Sequence, residues 1–139
     1  DAFLIDFEGE PRRSLEERRA KAPAARDVAG CCRSIDYAAS AALRRMTDIT
    51  PEEHSRLIES VRRWSGVLTE TYLDAYRSAV KDSALWPQDP KAADDLLAFF
   101  LLEKAFYEIE YEISNRPTWT AIPVEATIRI LERRGAIVT

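Results

Sequence analysis

Long amphipathic segments dominate this 139-residue chain and limit what it can fold into. Over about 26–46, and again over about 50–81, apolar residues recur every three or four positions, which places them on one face of a helix. Each stripe predicts a helix packed against a core. The side chains expected in that core are Val28, Cys32, Ile35, Ala39, Ala42 and Met46 in the first segment, and Leu57, Val61, Trp64, Leu68, Tyr72, Ala75 and Ala79 in the second.

Capping signals predict where two of the helices begin. Thr50 can cap a helix, Pro51 suits its first turn, and the two acids that follow favour the positive end of the helix dipole. Ser14, followed three residues later by Glu17, forms a capping-box pattern. A short surface helix is therefore expected after Ser14, ended by Pro23.

Two further helices complete the expected bundle. The segment over about 91–114 is apolar almost all round at 96–102, which is typical of a central helix with neighbours on several sides. It should stop before Pro117, because the residue before a proline disfavours helical geometry. The last helix, over about 123–134, should end at Gly135, since glycine is common just after a helix.

The first residues differ from the helical remainder. Residues 2–5 are apolar, and Asp6, Glu8 and Gly9 follow at once, which predicts a short strand closed by a turn. The edge of such a strand pairs readily with another chain, so self-association through residues 3–7 is expected. A carboxylate at the end of a strand also suits a magnesium ion held against phosphate oxygens. Asp6 is therefore a candidate metal ligand, with a plain strand-ending acid as the alternative.

Composition excludes several classes of protein. The net charge of −4, with no strongly basic face, argues against nucleic acid as a partner. The longest apolar run, 96–102, is far shorter than the ~20 residues that cross a bilayer, and no signal peptide begins the chain, so a cytoplasmic protein without a membrane partner is expected. Cys31 and Cys32 are adjacent and lack the spacing of a zinc site or a disulfide framework, so free buried thiols are expected.

A second candidate site lies on the third long helix. Tyr107, Tyr111 and Asn115 are spaced four apart and should project from one side, with Glu108 and Glu112 on the adjoining face. Aromatic faces pack on the C–H patches of sugars, while carboxylates and amides bind sugar hydroxyls. This helix face therefore predicts a sugar site. The alternative is that both tyrosines are core residues whose hydroxyls bond to neighbours.

Other polar residues have both functional and structural interpretations. Arg116 and Trp119 would either close the sugar pocket or cap the end of the helix. Glu8 would bind a sugar hydroxyl, assist the metal, or remain a solvated loop acid. His54, the sole histidine, is expected at the surface. Internal ion pairs are expected between Arg26 and Asp27, between Arg33 and Asp36, and between Glu10 and one of Arg12, Arg13 and Arg18.

Two blocks of residues form longer motifs. The first is Asp6-Phe7-Glu8-Gly9-Glu10-Pro11 with Glu17-Arg18, Lys21, Arg26-Asp27-Val28-Ala29-Gly30 and Arg33-Ser34-Ile35-Asp36-Tyr37-Ala38-Ala39. The second is Leu97-Ala98-Phe99-Phe100-Leu101-Leu102-Glu103-Lys104-Ala105 with Tyr107-Glu108, Tyr111-Glu112, Asn115-Arg116-Pro117, Trp119 and Ile122-Pro123. Together they closely resemble the bacterial maltokinases, which also occur fused to trehalose synthase. The resemblance runs over essentially the whole chain.

This resemblance implies the helical C-terminal lobe of a protein-kinase-like fold. It also implies a reaction in which ATP, with magnesium, phosphorylates maltose at its anomeric hydroxyl and so feeds α-glucan synthesis. Asp6 would then bind the magnesium ion. The acceptor would be bound by Glu8, Tyr107, Tyr111, Asn115 and Arg116.

The chain departs from the maltokinase pattern in two ways. Cys31-Cys32 stands where larger apolar residues are expected, and the phosphate-covering loop, strand lysine and catalytic loop of such a kinase would all precede Asp6. We therefore expect one domain, 1–139, that forms the C-terminal part of a longer parent protein. Residues 1–25 would be a metal-binding strand and an activation-segment-like connector, and 26–139 a helical bundle. ATP, magnesium and maltose would bind in the parent, while this part alone should hold no cofactor and be inactive.

Two alternatives stay open at this point. The chain could be a non-enzymatic helical interaction module, with the strand edge or the charged connector as its partner surface. It could also belong to a kinase-like phosphotransferase for another small hydroxyl substrate, such as an aminoglycoside or another sugar. A fold by itself does not choose among acceptors, because kinase-like folds serve many.

Overall fold

The computed structural model describes residues 9–136, and this part of the chain is mainly α, as the sequence predicts. It contains no strand, and the strand predicted at the N-terminus, with its pairing through residues 3–7, lies outside the described residues. A 3-10 turn at Pro117–Trp119 precedes the last helix. The α-helices are α1 (Leu15–Arg19), α2 (Ala25–Arg44), α3 (Pro51–Val80), α4 (Pro90–Asn115) and α5 (Ala121–Arg133).

The helix starts predicted from capping signals are confirmed. The Thr50 hydroxyl accepts a hydrogen bond from the Glu53 backbone N–H, and the Glu53 carboxylate accepts one from the Thr50 N–H. Ser14 and Glu17 form the same reciprocal pair at the start of α1. Helix α1 ends earlier than expected, at Arg19, where the chain turns to an extended conformation.

The core forms where α2 packs against α4. Ala25 and Ala29 of α2 are fully buried, and their small side chains let the two helix backbones approach closely. Leu97 and Phe100 of α4 fill the space opposite, and Trp86, from the loop before α4, closes one end. The partly buried side chains packed against this core are Tyr72, Leu73, Tyr76, Val80, Leu96 and Leu101.

Helix α4 is the central helix, as predicted. It packs against α2, α5 and the 3-10 turn. It is also the most apolar of the long helices. None of the helices between residues 9 and 136 combines the length and apolarity that crossing a lipid bilayer requires.

The predicted core stripes are right only in part. On α2, Ala42 and Met46 are exposed, because the helix ends at Arg44 and its last turn extends past the core. On α3, core contacts concentrate in the second half of the helix, on a strip that runs from Tyr72 to Val80. Because α3 lies on the outside of the bundle and packs mainly along α2, only a narrow strip of it is covered. The α3 residues wrongly predicted as core are Trp64, Leu68, Ala75 and Ala79.

The two cysteines occupy different environments. Both are free thiols. Cys32 is buried as expected, and burial raises its pKa to about 11. Cys31 is exposed, which contradicts the expectation of two buried thiols, because it lies on the side of α2 turned away from α4. His54 lies at the surface in the first turn of α3, as predicted.

Two glycines differ in whether the backbone conformation requires glycine at their position. Gly135 follows α5 with φ of +65°, in the left-handed region that disfavours other residues. Its N–H donates to the Glu132 carbonyl at 2.9 Å, and the Ala136 N–H donates to the Leu131 carbonyl at 3.0 Å, which is the double bond of a Schellman cap. Gly66 lies inside α3, where an added Cβ would meet open space.

Alanine at these two positions should change stability in opposite directions. Gly66→Ala should raise the free energy of unfolding by about 0.5–1 kcal/mol, because alanine favours the helix and meets no neighbour. Gly135→Ala should lower it by about 1–2 kcal/mol, because an L-residue is strained at positive φ. Urea unfolding followed by far-UV circular dichroism measures both. Equal effects of the two substitutions would contradict this description of α3 and of the α5 cap.

Candidate functional site

The connector segment, residues 9–14, lies along the C-terminal half of α4 and is held there by Arg12. One nitrogen of Arg12 donates to the Glu110 carboxylate at 2.7 Å, and another donates to the Ser114 hydroxyl at 2.7 Å. These bonds join residues about one hundred positions apart in the chain. They fix the N-terminal end of the described chain against α4.

Two further ion pairs hold the connector segment in place. Arg13 donates to Glu103 at 2.8 Å, and Lys104 pairs with Glu10. Glu10 is ion-paired, as predicted, but the predicted partner, one of Arg12, Arg13 and Arg18, is wrong, because the pair forms with Lys104 of α4. The reason is tertiary, since the packing of the connector segment on α4 brings Lys104 against this carboxylate.

The ring of Tyr107 lies beside these ion pairs. The Lys104 ammonium is 5.0 Å from the ring centroid, and the Arg13 guanidinium is 5.9 Å from it, both within cation–π range. The ring of Tyr111, one turn further along α4, stacks on Tyr107 with centroids 6.5 Å apart and planes 22° apart. The two tyrosines therefore share one face, as their spacing predicts.

A shallow cleft of about 350 Å³ runs along this face. Two polar atoms in its wall, the Tyr107 hydroxyl and Arg13 Nε, are buried without a hydrogen bond to the described part of the chain. The Glu10 carboxylate and the Arg12 backbone lie near the hydroxyl without good bonding geometry, and burial raises the pKa of Tyr107. The cleft is lined by Arg12, Arg13, Glu17, Phe106, Tyr107 and Glu110.

A buried charge network lies behind this face and joins three helices. Arg33 of α2 is only 2% exposed and donates to Glu108 of α4 at 2.5 Å and to Asp36 of its own helix at 2.5 Å. Asp36 also accepts from Arg129 of α5 at 2.9 Å. Burial lowers the pKa of Arg33, but the two carboxylates outweigh it and the net direction is upward. Burial raises the pKa of Glu108, while Arg33 opposes that rise.

Of the two ion pairs predicted within α2, one is confirmed. Arg33 bonds to Asp36 as expected. Arg26 bonds instead to Glu103 of α4 at 3.3 Å. The reason is that Arg26 faces α4, whereas Asp27, the next residue around the helix, is exposed to solvent.

A second buried carboxylate organises the end of α4. Glu112 is 2% exposed and accepts hydrogen bonds from the Tyr37 hydroxyl at 2.6 Å and from Arg116 at 2.6 Å and 3.0 Å. The Tyr37 ring stacks on Trp119 at 6.2 Å, and the Arg116 guanidinium lies 4.9 Å from the Trp119 ring and 5.8 Å from the Tyr111 ring. Burial, together with the bond to Glu112, raises the pKa of Tyr37 to about 12.

The residues predicted for a sugar site lie in two separate places in the structure. Tyr107 lines the cleft and Tyr111 stacks beside it, whereas Asn115 and Arg116 lie at the end of α4. There the Asn115 amide donates to the Tyr111 carbonyl of its own helix, and Arg116 is bound to Glu112. Glu108 and Glu112, expected on the adjoining face, are both occupied by the buried pairs with Arg33 and Arg116.

The predicted metal ligand Asp6 lies outside the described residues, and so does Glu8, which was predicted to bind the acceptor or to assist the metal. Magnesium binding by Asp6 and the role of Glu8 therefore stay predictions. Between residues 9 and 136, no group of three or more His, Cys, Asp or Glu side chains could hold a metal ion.

Sequence reasoning missed three cations around Tyr107, since Arg12 and Arg13 line the cleft and Lys104 lies 5.0 Å from the ring centroid. Lys104 precedes Tyr107 by three positions, and that helical spacing was the available signal. Arg12 and Arg13 are separated from their partners on α4 by 98 and 90 positions, so no local pattern indicates them.

Comparison with known proteins finds a sequence similarity to a sugar kinase. The chain is 28% identical over 131 residues to a glucosamine kinase of Streptacidiphilus jiangxiensis. The match covers 94% of this chain and 28% of the length of that relative. No protein-family model matches the chain. The chain is therefore similar in sequence to a sugar kinase over nearly all of its own length, and it spans little more than a quarter of that kinase.

Removing the Tyr37 hydroxyl should weaken the fold. Tyr37→Phe leaves the buried Glu112 carboxylate with one donor fewer and should lower the free energy of unfolding by about 1–2 kcal/mol at neutral pH. The matched control is Tyr76→Phe, which keeps the ring contact with Trp86 and should change stability by less than about 0.5 kcal/mol. Urea unfolding measures both.

The raised pKa of Tyr37 also predicts that the stability difference between wild type and Tyr37→Phe depends on pH. The pKa of Tyr37 is raised from 10.0 to about 12 in the folded protein, so the neutral phenol contributes stability that is present below pH 10 and is lost as the pH rises to 12. The stability difference between wild type and Tyr37→Phe should therefore shrink across that window. A constant difference would show that this phenol is not protected by folding.

Proposed function

We propose that this chain is the C-terminal, acceptor-binding part of an ATP-dependent sugar kinase with a protein-kinase-like fold. The observation that carries the proposal is the similarity to a glucosamine kinase over 94% of the chain. The mainly α architecture is compatible with the helical lobe of such a kinase. Because the match spans only 28% of that relative, the activity would belong to a longer parent protein.

The cleft beside Tyr107 is the proposed acceptor site. Tyr107 lines the cleft, so the part of its half-buried ring that Lys104 and Arg13 leave uncovered would pack on the C–H side of a sugar ring. The buried Tyr107 hydroxyl and Arg13 Nε make no well-formed hydrogen bond to the described chain, and sugar hydroxyls that reach them would satisfy both. Tyr111 extends the aromatic face by one helical turn, which suits an acceptor of two sugar units, with Asn115 and Arg116 beyond it.

Maltose is the acceptor that we propose first, because two blocks of the sequence resemble the maltokinases. Lys104 and Arg13 place two positive charges at the ring of Tyr107, and each is paired with a carboxylate, Glu10 and Glu103 respectively. Their charges are balanced, so charge alone does not choose between a neutral sugar and an amino sugar. Glucosamine, the sugar in the name of the relative, is the alternative acceptor.

Asp6 is the proposed ligand for the magnesium ion that accompanies ATP, with Glu8 available to the metal or to a sugar hydroxyl. The ion would neutralise phosphate charge during transfer. Covalent geometry keeps the Asp6 Cα within about 14 Å of the Glu10 Cα, since four residues span no more than that. This limit is compatible with a metal ligand near the proposed acceptor site, because Glu10 is paired with Lys104 beside Tyr107.

Replacing Asp6 by asparagine in the parent protein tests the metal assignment. Asp6→Asn should lower the rate of phosphate transfer from ATP to maltose about 100-fold or more, because a charge that binds the metal is lost. The rate of ADP formation measures the reaction, and far-UV circular dichroism checks that the fold is intact. Activity within about tenfold of wild type would remove Asp6 from the mechanism. Turnover of glucosamine but not maltose would correct the acceptor, and no turnover with either would favour the non-enzymatic interaction module.

Replacing Tyr107 by alanine tests the acceptor site. Tyr107→Ala should weaken maltose binding to the parent protein about tenfold or more, because the stacking face and the hydroxyl are both lost. Titration calorimetry measures the affinity. Trp64→Ala is the matched control, because Trp64 is an aromatic side chain 54% exposed on α3, away from the cleft. Unchanged affinity in Tyr107→Ala, with binding intact in wild type, would place the acceptor elsewhere.

A further inference from the structure

Helix α4 presents a line of large apolar side chains to solvent. Phe99, Phe106 and Ile113 are 62%, 57% and 59% exposed. They are spaced seven residues apart, which is close to two helical turns, so they form one line about 21 Å long. The half-buried Leu102 and Ile109 flank it on one side. We call Phe99, Phe106 and Ile113 the α4 ridge.

The core-facing part of α4 already has its partners. Leu97 and Phe100 belong to the core, and Phe99 lies about 200° around the helix from Leu97 and about 100° from Phe100, with the Phe99 and Phe100 ring centroids 5.1 Å apart. Within residues 9–136, the α4 ridge is therefore left largely uncovered. Single exposed apolar residues are ordinary on a protein surface, but large ones in register along a helix are typical of an interaction surface.

The connector segment indicates what covers the α4 ridge. Phe106 lines the same cleft as Arg12 and Arg13, so the ridge passes beside the point where the chain reaches α4 from its N-terminal side. The Glu10–Lys104 pair and the bonds of Arg12 hold the chain at that point. The connector segment thus reaches α4 next to the ridge. In the related glucosamine kinase, the match with this chain accounts for only 28% of the length, so most of that protein is additional polypeptide.

We propose that the α4 ridge is the docking surface for the domain that precedes residue 1 in the parent protein. This inference rests on the proposed function, because it takes the chain to be part of a longer sugar kinase. Docking would bury the ridge and bring the preceding domain to the edge of the cleft at Tyr107. The acceptor site would then be completed between the two parts of the protein.

Glutamate substitutions at the two ends of the ridge test the proposal, with Phe106 left unchanged because it lines the acceptor cleft. In the parent protein, Phe99→Glu and Ile113→Glu should each lower the thermal unfolding midpoint by at least about 5 °C, because a charge would be buried without a partner. In the 139-residue chain the same substitutions should shift the midpoint by less than about 2 °C, because both side chains are exposed there. Leu85→Glu is the matched control, since Leu85 is 59% exposed in the loop before α4, and it should be neutral in both proteins.

Two results would overturn the docking surface. One is a midpoint shift in the parent protein no larger than that of Leu85→Glu. The other is that the 139-residue chain forms a dimer, that both ridge substitutions dissociate it, and that neither substitution changes the unfolding midpoint of the parent protein. In that case a second copy of the chain, and not the preceding domain, would cover the ridge. The unfolding midpoint needs no substrate. A parent protein that phosphorylates no sugar, yet is destabilised by both ridge substitutions, would therefore refute the proposed function and leave the docking surface standing.

Discussion

The buried guanidinium of Arg33 is the contact on which the arrangement of the helices depends. It binds Glu108 of α4 and Asp36 of α2, and Asp36 in turn accepts from Arg129 of α5. A charged group buried away from water is stable only where opposite charges and hydrogen bonds surround it. The loss of one partner leaves the remaining buried charges unpaired, which strongly destabilises the fold. The network therefore restricts the rotation of α4 against α2 and α5. A core of small alanine side chains alone would restrict that rotation less.

The orientation of α4 gives each of its sides a different role. One side, with Leu97 and Phe100, fills the core. The side with Tyr107 carries the connector segment and the cleft, and the side with Phe99 faces solvent. A sugar kinase of the proposed kind needs its acceptor site close to the metal and phosphate machinery. The crossing of the connector segment over α4 ties the N-terminal end of the described chain to the wall of the cleft, and the proposed function relies on this contact.

How far the sequence could predict each feature depends on how local its cause is. The starts of α1 and α3 were predictable, because capping boxes act over three residues. The α3 stripe was predicted too broadly, because helical periodicity shows that a face is apolar but not how much of it a neighbour covers. Trp64 and Leu68 fit the stripe perfectly well and remain exposed. The shared face of Tyr107 and Tyr111 followed from their spacing, whereas the cations beside Tyr107 come partly from a distant segment.

The sequence by itself determined a mainly α chain, the positions of its helices, and the common face of the two tyrosines. All three depend on residues within about two helical turns of one another. Only the tertiary structure decided that Glu108 and Glu112 form ion pairs with Arg33 and Arg116, that Arg12 and Arg13 line the cleft, and that the α4 ridge faces solvent. Those features depend on which helix faces meet, and the groups that decide this, such as Arg33 and Glu108, lie 75 positions apart.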